Sequence, residues 1–224
     1  MGRVRGTAAG VRKPKSRFGS TLERLSHVRI WFFEREGRDL VRINQVEMIE
    51  SFVGAFADYG SSVALALFSE IIETVLPERE ASDANFRLLL LASQTIKRTG
   101  KPEVPLAYFA LWTVKLGGWL PPFDRCGKCG RQLLENEPLY FSPRAAAVAC
   151  AGCRAGGMRT VSPVAAKLAR KMLTERLDRF VDDPANADLI AAKPVREATD
   201  LMLDVIEHQI DRRLKSRELL ESPA

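Results

Sequence analysis

All four cysteines of this chain lie in one stretch, RCGKCGRQLLENEPLYFSPRAAAVACAGC, from Arg125 to Cys153. They form two Cys-x-x-Cys pairs, Cys126/Cys129 and Cys150/Cys153, with twenty residues between the pairs. That spacing is a zinc-ribbon pattern. Zn²⁺ takes four tetrahedral ligands and suits thiolates, and a two-residue gap lets one tight turn aim two sulfurs at one ion. Gly127, Gly130 and Gly152 ease those turns. Arg125, Lys128, Arg131 and Arg154 flank the pairs, and their charge is expected to offset a negative tetrathiolate. Four cysteine ligands leave no coordination position for water, so the site reads as structural zinc rather than a catalytic one. Iron in the same four thiolates is isosteric, and spacing does not separate the two metals. A thiol redox pair or disulfides are the weaker reading, and disulfides are further disfavoured because no apolar segment of a secretory signal follows the basic start. The stretch is mostly polar, so the metal is expected to supply much of this lobe's folding energy.

Nothing else in the sequence pairs a nucleophile with a base. There is no phosphate-binding loop and no dinucleotide fingerprint. His27 and His208 stand alone, without a carboxylate at useful spacing. What remains is charge. The formal net charge is +6 over 224 residues, and it is concentrated at one end. No acidic residue precedes Glu23, whereas Arg3, Arg5, Arg12, Lys13, Lys15 and Arg17 do. A local cationic patch attracts a polyanion: nucleic acid, an anionic membrane surface or an acidic peptide. The longest apolar runs, near Val63–Phe68 and Leu88–Ala92, are far shorter than a membrane-spanning helix requires.

The elements that must position these residues follow from periodicity. SHVRIWFFERE alternates, with Val28, Ile30 and Phe32 on one face and Arg29, Trp31, Phe33 and Arg35 on the other. A turn at Glu36-Gly37 and a second strand from Leu40 to Ile49 make a hairpin, and GRVRGTAAG supplies one earlier strand. From about Ser51 the period becomes helical. Val63, Leu67, Ile71 and Val75 form one stripe, ending before Pro77. The next helix is capped at Ser82/Asp83 and stops at Gly100. A third carries Leu106, Phe109, Thr113 and Leu116 on one face and ends at Gly117-Gly118. After the cysteine lobe, SPVAAKLARKMLTERLDRF reads as one helix with Ser162 as cap and Pro163 in its first turn. Ala198, Met202, Ile206 and Ile210 stripe the last helix.

GVRKPKSRFGSTLERLSHVRIWFFEREGRDL, YFALWTVKLGGWLPPFDRCGKCG, YFSPRAAAVACAGC and RRLKSRELLE together resemble the bacterial RecO family of DNA repair proteins, over essentially the whole chain. The resemblance implies an α+β chain. Residues 1–50 would be a partial OB-fold domain. Residues 51–224 would be a helical domain, with a zinc lobe at about 123–157 inserted between helices. It also implies a function without catalysis: binding of single- and double-stranded DNA, annealing of complementary strands, and RecA loading together with RecR in recombinational repair. The acidic C-terminal tail of single-strand-binding protein is a further implied partner, a membrane is not, and the implied location is the bacterial cytoplasm, at the nucleoid. Family members carry a segment ahead of the position matching Gly2 that supplies the first OB strands. Its absence here is expected to reflect either a start codon assigned too far downstream, the reading preferred, or a truly incomplete barrel. The rival reading is a zinc-organised adaptor that binds acidic peptide tails rather than DNA.

With that resemblance, Arg12, Lys13, Lys15 and Arg17 are expected to grip phosphates. Arg29 and Trp31, with Phe33 and Arg35, form either a stacking platform for bases or a surface covered by the helical body. Burial is the favoured reading, since both faces of the strand are apolar. Arg212, Arg213, Lys215 and Arg217 match the family's terminal motif and are candidate contacts to DNA or an acidic peptide. Lys167, Arg170, Lys171, Arg176 and Arg179 read as a solvated basic helix face.

Overall fold

A computed structural model describes residues 2–11, 13, 16, 18–143 and 147–221. It has the expected class: a β segment, then a mostly helical body with the four-cysteine lobe inserted. The first sheet has strands β1 (Arg5–Thr7), β2 (His27–Phe33) and β3 (Leu40–Glu50), in the order β1-β3-β2. These are three strands, where a complete OB-fold has five. β2 and β3 are the expected hairpin, and β1 adds to β3 in parallel, Arg5 opposite Leu40.

The register corrects the predicted alternation. Trp31 faces Gln45, but an irregularity follows and Phe32 faces Ile43, with Phe33 opposite Arg42. Side chains opposite one another share a face, and a bulge resets the alternation. Phe33 therefore joins the face of Ile30 and Arg42, and Phe32 joins that of Trp31. Predicted burial beneath the helices is also corrected: Trp31 is 42% exposed and Phe33 54%. β2 is an edge strand of an open three-stranded sheet, and α2 meets it at His27, whose ring lies 5.7 Å from that of Phe86.

Ion pairs and one hydrogen-bonded loop join sheet to helices. Arg79 sits at φ 63° and its N–H donates to the Arg3 carbonyl at 2.8 Å. Its guanidinium pairs with Glu34 and reaches the Asp39 carbonyl at 3.4 Å. Arg5 Nε lies 2.8 Å from Glu78. At the other end of β3, Glu50 accepts from Gln94 Nε2 at 2.8 Å and Lys97 Nζ at 2.9 Å.

In the body, α1 (Tyr59–Val75) starts where Asp58 accepts the Ser61 N–H at 2.8 Å, and α2 (Asp83–Thr99) ends on Gly100 at φ 65°. α3 (Glu103–Leu116) is the central helix, packed against α2 and against α6 (Ala192–Gln209). A one-sided stripe was expected, but α3 is buried nearly all round from Pro105 to Val114. Phe109 is fully buried with its ring centroid 4.2 Å from Phe68. The helix expected after Ser162 divides into α4 (Pro163–Met172) and α5 (Leu177–Asp182). Two α3 side chains satisfy carbonyls around the break: Trp112 Nε1 donates to Met172 O at 3.0 Å and Tyr108 Oη to Glu175 O at 3.2 Å. The turn then brings Leu177 and Phe180 into the core. A short α7 (Glu218–Glu221) closes the described chain. Among the described residues no helix is long and apolar enough to cross a membrane.

Candidate functional site

The cysteine lobe is built on a second sheet, β5-β4-β6, from β4 (Leu139–Ser142), β5 (Ala147–Ala149) and β6 (Arg159–Val161). The first knuckle closes through Cys126 N–H to Arg131 O at 2.8 Å and Gly130 N–H to Cys126 O at 2.9 Å. Gly130 takes φ 74°, which a side chain would strain. The second knuckle closes through Cys153 N–H to Cys150 O at 3.0 Å. Gly127 N–H donates to Val148 O at 2.8 Å and fixes one knuckle against the other.

These turns bring the Sγ atoms of Cys126, Cys129, Cys150 and Cys153 all within 4.8 Å of one another, with Cys129 and Cys150 3.9 Å apart. A tetrahedron of Zn–S bonds of about 2.3 Å has edges of about 3.8 Å, so the donors fit such an ion. Backbone N–H groups of Cys129 and Cys150 hold the Cys126 thiol down to about 6, and the neighbouring Cys129 and Cys150 sulfurs push Cys153 up to about 12. A dication among the four would relieve that mutual penalty and stabilise all as thiolates. Arg131 is held protonated first by Glu137, 2.7 Å away, and then by Cys150. Arg154 instead lies over the Tyr140 ring at 4.9 Å. One expectation is corrected. The lobe is not without a core, because Leu139, Phe141, Val148 and Val161 are buried in a cluster continuous with the helices.

The second candidate surface is on the first sheet. Phe33, Arg35, Arg38, Arg42, Asn44 and Thr7 line an open cleft of about 550 Å³. Arg38, Arg42 and Asn44 were missed in the sequence. The signal that finds them is the register that sets Phe33 opposite Arg42, which depends on a bulge that periodicity does not show. Arg29 is exposed but bonded to Glu47 at 3.1 Å, beside Trp31.

The basic positions expected to touch DNA are not all equivalent. Arg12, Lys15 and Arg17 lie outside the described residues, and Lys13 is exposed. Arg213 and Lys215 are exposed, as is Arg212, whose guanidinium bonds Thr74 Oγ1. Arg217 turns inward. Its side chain is 12% exposed and sits 2.9 Å from Asp204 and 2.7 Å from Glu207. On the basic segment after Ser162, Lys167 is exposed, but Arg170 donates to Phe123 O at 2.7 Å and Lys171 is bonded to Asn186.

Residues 57–218 match the family described as Recombination protein O C terminal, and residues 1–52 match Recombination protein O N terminal. The chain belongs to the recombination protein O family. Its similarity to individual RecO proteins is spread along the chain. It is 30% identical to the DNA repair protein RecO of Koribacter versatilis, over 98% of this chain and 87% of that protein. It is 33% identical to the DNA repair protein RecO of a Nocardioides species, over 98% and 88%. The Anaeromyxobacter dehalogenans protein of the same name is 27% identical, over 98% and 85%. The family is thus one of DNA repair by recombination.

Proposed function

We propose that this protein is a non-enzymatic mediator of recombinational DNA repair. It binds single- and double-stranded DNA, anneals complementary strands, and helps load RecA in concert with RecR, in the bacterial cytoplasm at the nucleoid. Residues 1–50 act as an OB-type DNA-binding domain. Residues 51–224 act as a helical scaffold with a structural zinc lobe at about 123–157. The observation that carries the reading is the sheet face where half-exposed Phe33 stands with Arg35, Arg38 and Arg42 around an open cleft, while Trp31 and Arg29 are exposed on the opposite face. Aromatic faces stack on any base and guanidinium groups neutralise phosphates, which gives affinity without sequence preference. Exposed Lys13, Arg212, Arg213 and Lys215 add cationic charge, and Arg12, Lys15 and Arg17 are taken as phosphate contacts on the ground of their sequence alone. Two strands held together on such a surface repel each other less, which favours annealing. Family membership and the relatives' shared name support the same reading.

The test is oligonucleotide anisotropy over a salt series. For single strands, log K should fall with log[salt] by about 0.7 per phosphate neutralised. The triple variant Arg35→Ala, Arg38→Ala, Arg42→Ala should weaken binding and flatten that slope by about 2. A slope that is flat in the unmodified protein would falsify the proposal.

A second reading is favoured by a different groove. Leu88, Leu91, Tyr108, Trp112 and Leu116 line about 350 Å³ between α2 and α3, with Arg87 and Arg176 at its edge. An apolar slot with guanidinium groups beside it suits an acidic tail with an apolar end, such as that of single-strand-binding protein. Arg87→Glu with Arg176→Glu should abolish capture of an acidic C-terminal peptide and spare oligonucleotide affinity. The converse result assigns this groove to DNA.

A further inference from the structure

Where the sheet meets the helical body there is a second kind of cavity, unlike the cationic surfaces. Leu25, Val28, Phe52, Phe86, Leu89 and Leu90 line a half-open pocket of about 220 Å³, with Ser26, His27 and Ser93 completing the wall. No lysine, arginine, aspartate or glutamate lines it. Two hydroxyls are out of place there. Ser93 is 2% exposed, Ser26 Oγ is also shut off from solvent, and neither hydroxyl has a hydrogen-bond partner among the described residues. Buried hydroxyls are nearly always bonded, and leaving one unbonded carries the full desolvation penalty of the group. In a helix such as α2 a serine ordinarily bonds back to the carbonyl one turn earlier, as Thr95 does to Leu91 at 2.8 Å. Ser93, two residues before it, does not. Leu25, at the rim, is held at φ 58°, a conformation sparsely populated for a branched side chain and concentrated at binding sites. An aromatic wall stands beside it, with His27 and Phe86 edge to face at 5.7 Å.

We propose that this cavity is a binding site for one neutral aromatic ring that carries a hydroxyl, a phenol being the simplest form. The volume decides the size. An apolar cavity of about 150 Å³ takes benzene, so this one has room for a single substituted ring. The uncharged lining excludes carboxylates and phosphates, which makes the site distinct from the DNA-binding surfaces. Each serine hydroxyl both donates and accepts, and a phenolic O–H placed between Ser26 and Ser93 satisfies both at once. The leucine, valine and phenylalanine side chains take the ring. Such a ring comes either from a small molecule or from a tyrosine of a partner polypeptide, and the chemistry of the site is the same for both.

The experiment is a methyl and amide NMR titration of the full chain with p-cresol, toluene and N-acetyl-tyrosinamide. p-Cresol and toluene share shape and differ by the hydroxyl. Saturable shifts are expected at Val28, Leu89 and Leu90, with p-cresol binding about fivefold or more tightly than toluene. Ser93→Ala should bring that ratio close to one. Removing an unbonded hydroxyl should also leave the variant at least as heat-stable as the parent, with Tm raised by about 2 °C or more. If N-acetyl-tyrosinamide binds as well as p-cresol the source is a polypeptide, and if only p-cresol binds it is a small molecule. Equal affinity for p-cresol and toluene, shifts scattered over the surface, or no saturation each overturn the proposal. So does a loss of several degrees in Ser93→Ala, which would mean the hydroxyl has a structural partner within the fold.

Discussion

Replacing Arg217 by alanine separates a structural role from a nucleic-acid role at a residue where sequence suggested the latter. One Nη of Arg217 lies 2.9 Å from Asp204 Oδ1 and 2.7 Å from Glu207 Oε2. All three side chains are between 12% and 16% exposed. The other oxygen of Asp204 pairs with Arg159 at 2.5 Å, and Glu207 Oε1 accepts the Leu214 N–H at 2.8 Å. Asp200, Asp204 and Glu207 fall on successive turns of α6, so the loss of Arg217 leaves three neighbouring carboxylates with Arg159 on Asp204 and Arg196 on Asp200 as the remaining close cations. Removing one partner of a buried ion pair costs about 3 to 5 kcal/mol. Because Arg159 stays and the group is slightly solvated, the low end applies, about 3 kcal/mol. In a chain of this length each kcal/mol moves Tm by about 2–4 °C, so Arg217→Ala should melt about 6–12 °C lower. Arg217→Lys keeps the charge but not the planar fork, and should recover about half of that. Circular dichroism melting reads the first effect, and oligonucleotide anisotropy well below the lowered Tm reads the second, which should be small. An alanine variant that melts within about 1 °C of the parent but loses DNA binding would refute this assignment of Arg217 to the fold.

Two further outcomes follow from the lobe and from α6. Cys150→Ser removes one of four clustered thiols, so native mass spectrometry should find one metal ion on the parent and none on the variant. Hydrogen exchange should rise through residues 123–161, while helices α1 to α3 stay protected because α3 packs on α2 and α6 rather than on the cysteine knuckles. Asp200 has its carboxyl pushed up by burial first, with Arg217 and Arg196 opposing. A carboxyl raised in the folded state costs stability where it is ionised, and that cost fades as pH falls through its folded value. Asp200→Asn should therefore raise Tm at pH 7, and the gain should shrink steadily toward about pH 4. A gain that grows on acidification would contradict the sign.

Local chemistry read well from the sequence, and tertiary packing did not. The Cys-x-x-Cys spacing found four sulfurs that lie within 4.8 Å of one another, because two-residue knuckles leave the backbone little choice. Gly100, Ser162 and Pro163 end or begin helices for equally local reasons. The errors came where a distant group decided the outcome. The break between α4 and α5 depends on carbonyls taken by Tyr108 and Trp112, more than fifty residues earlier. The polar look of the lobe hid Leu139 and Phe141, whose burial comes from docking onto the helices. The face of Phe33 turned on a bulge set by strand pairing, which alternation within one strand does not encode.

Charge is where this distinction matters most for function. A sequence displays every arginine equally, but an arginine contributes to a polyanion surface only if no carboxylate in the fold has already taken its charge. Arg3, Arg5, Arg79 and Arg217 are each paired with a glutamate or aspartate, and they fasten the N-terminal strand and the C-terminal segment to the helical body. Arg35, Arg38 and Arg42 instead converge on a cleft whose one acidic neighbour is Asp39, with the half-exposed ring of Phe33 among them. Counterion release depends on charges available to phosphates, not on formal net charge. The salt response of DNA binding should therefore follow substitutions in the Arg35, Arg38 and Arg42 cleft, and should be nearly indifferent to substitutions at Arg3, Arg5 and Arg217, although those remove the same formal charge.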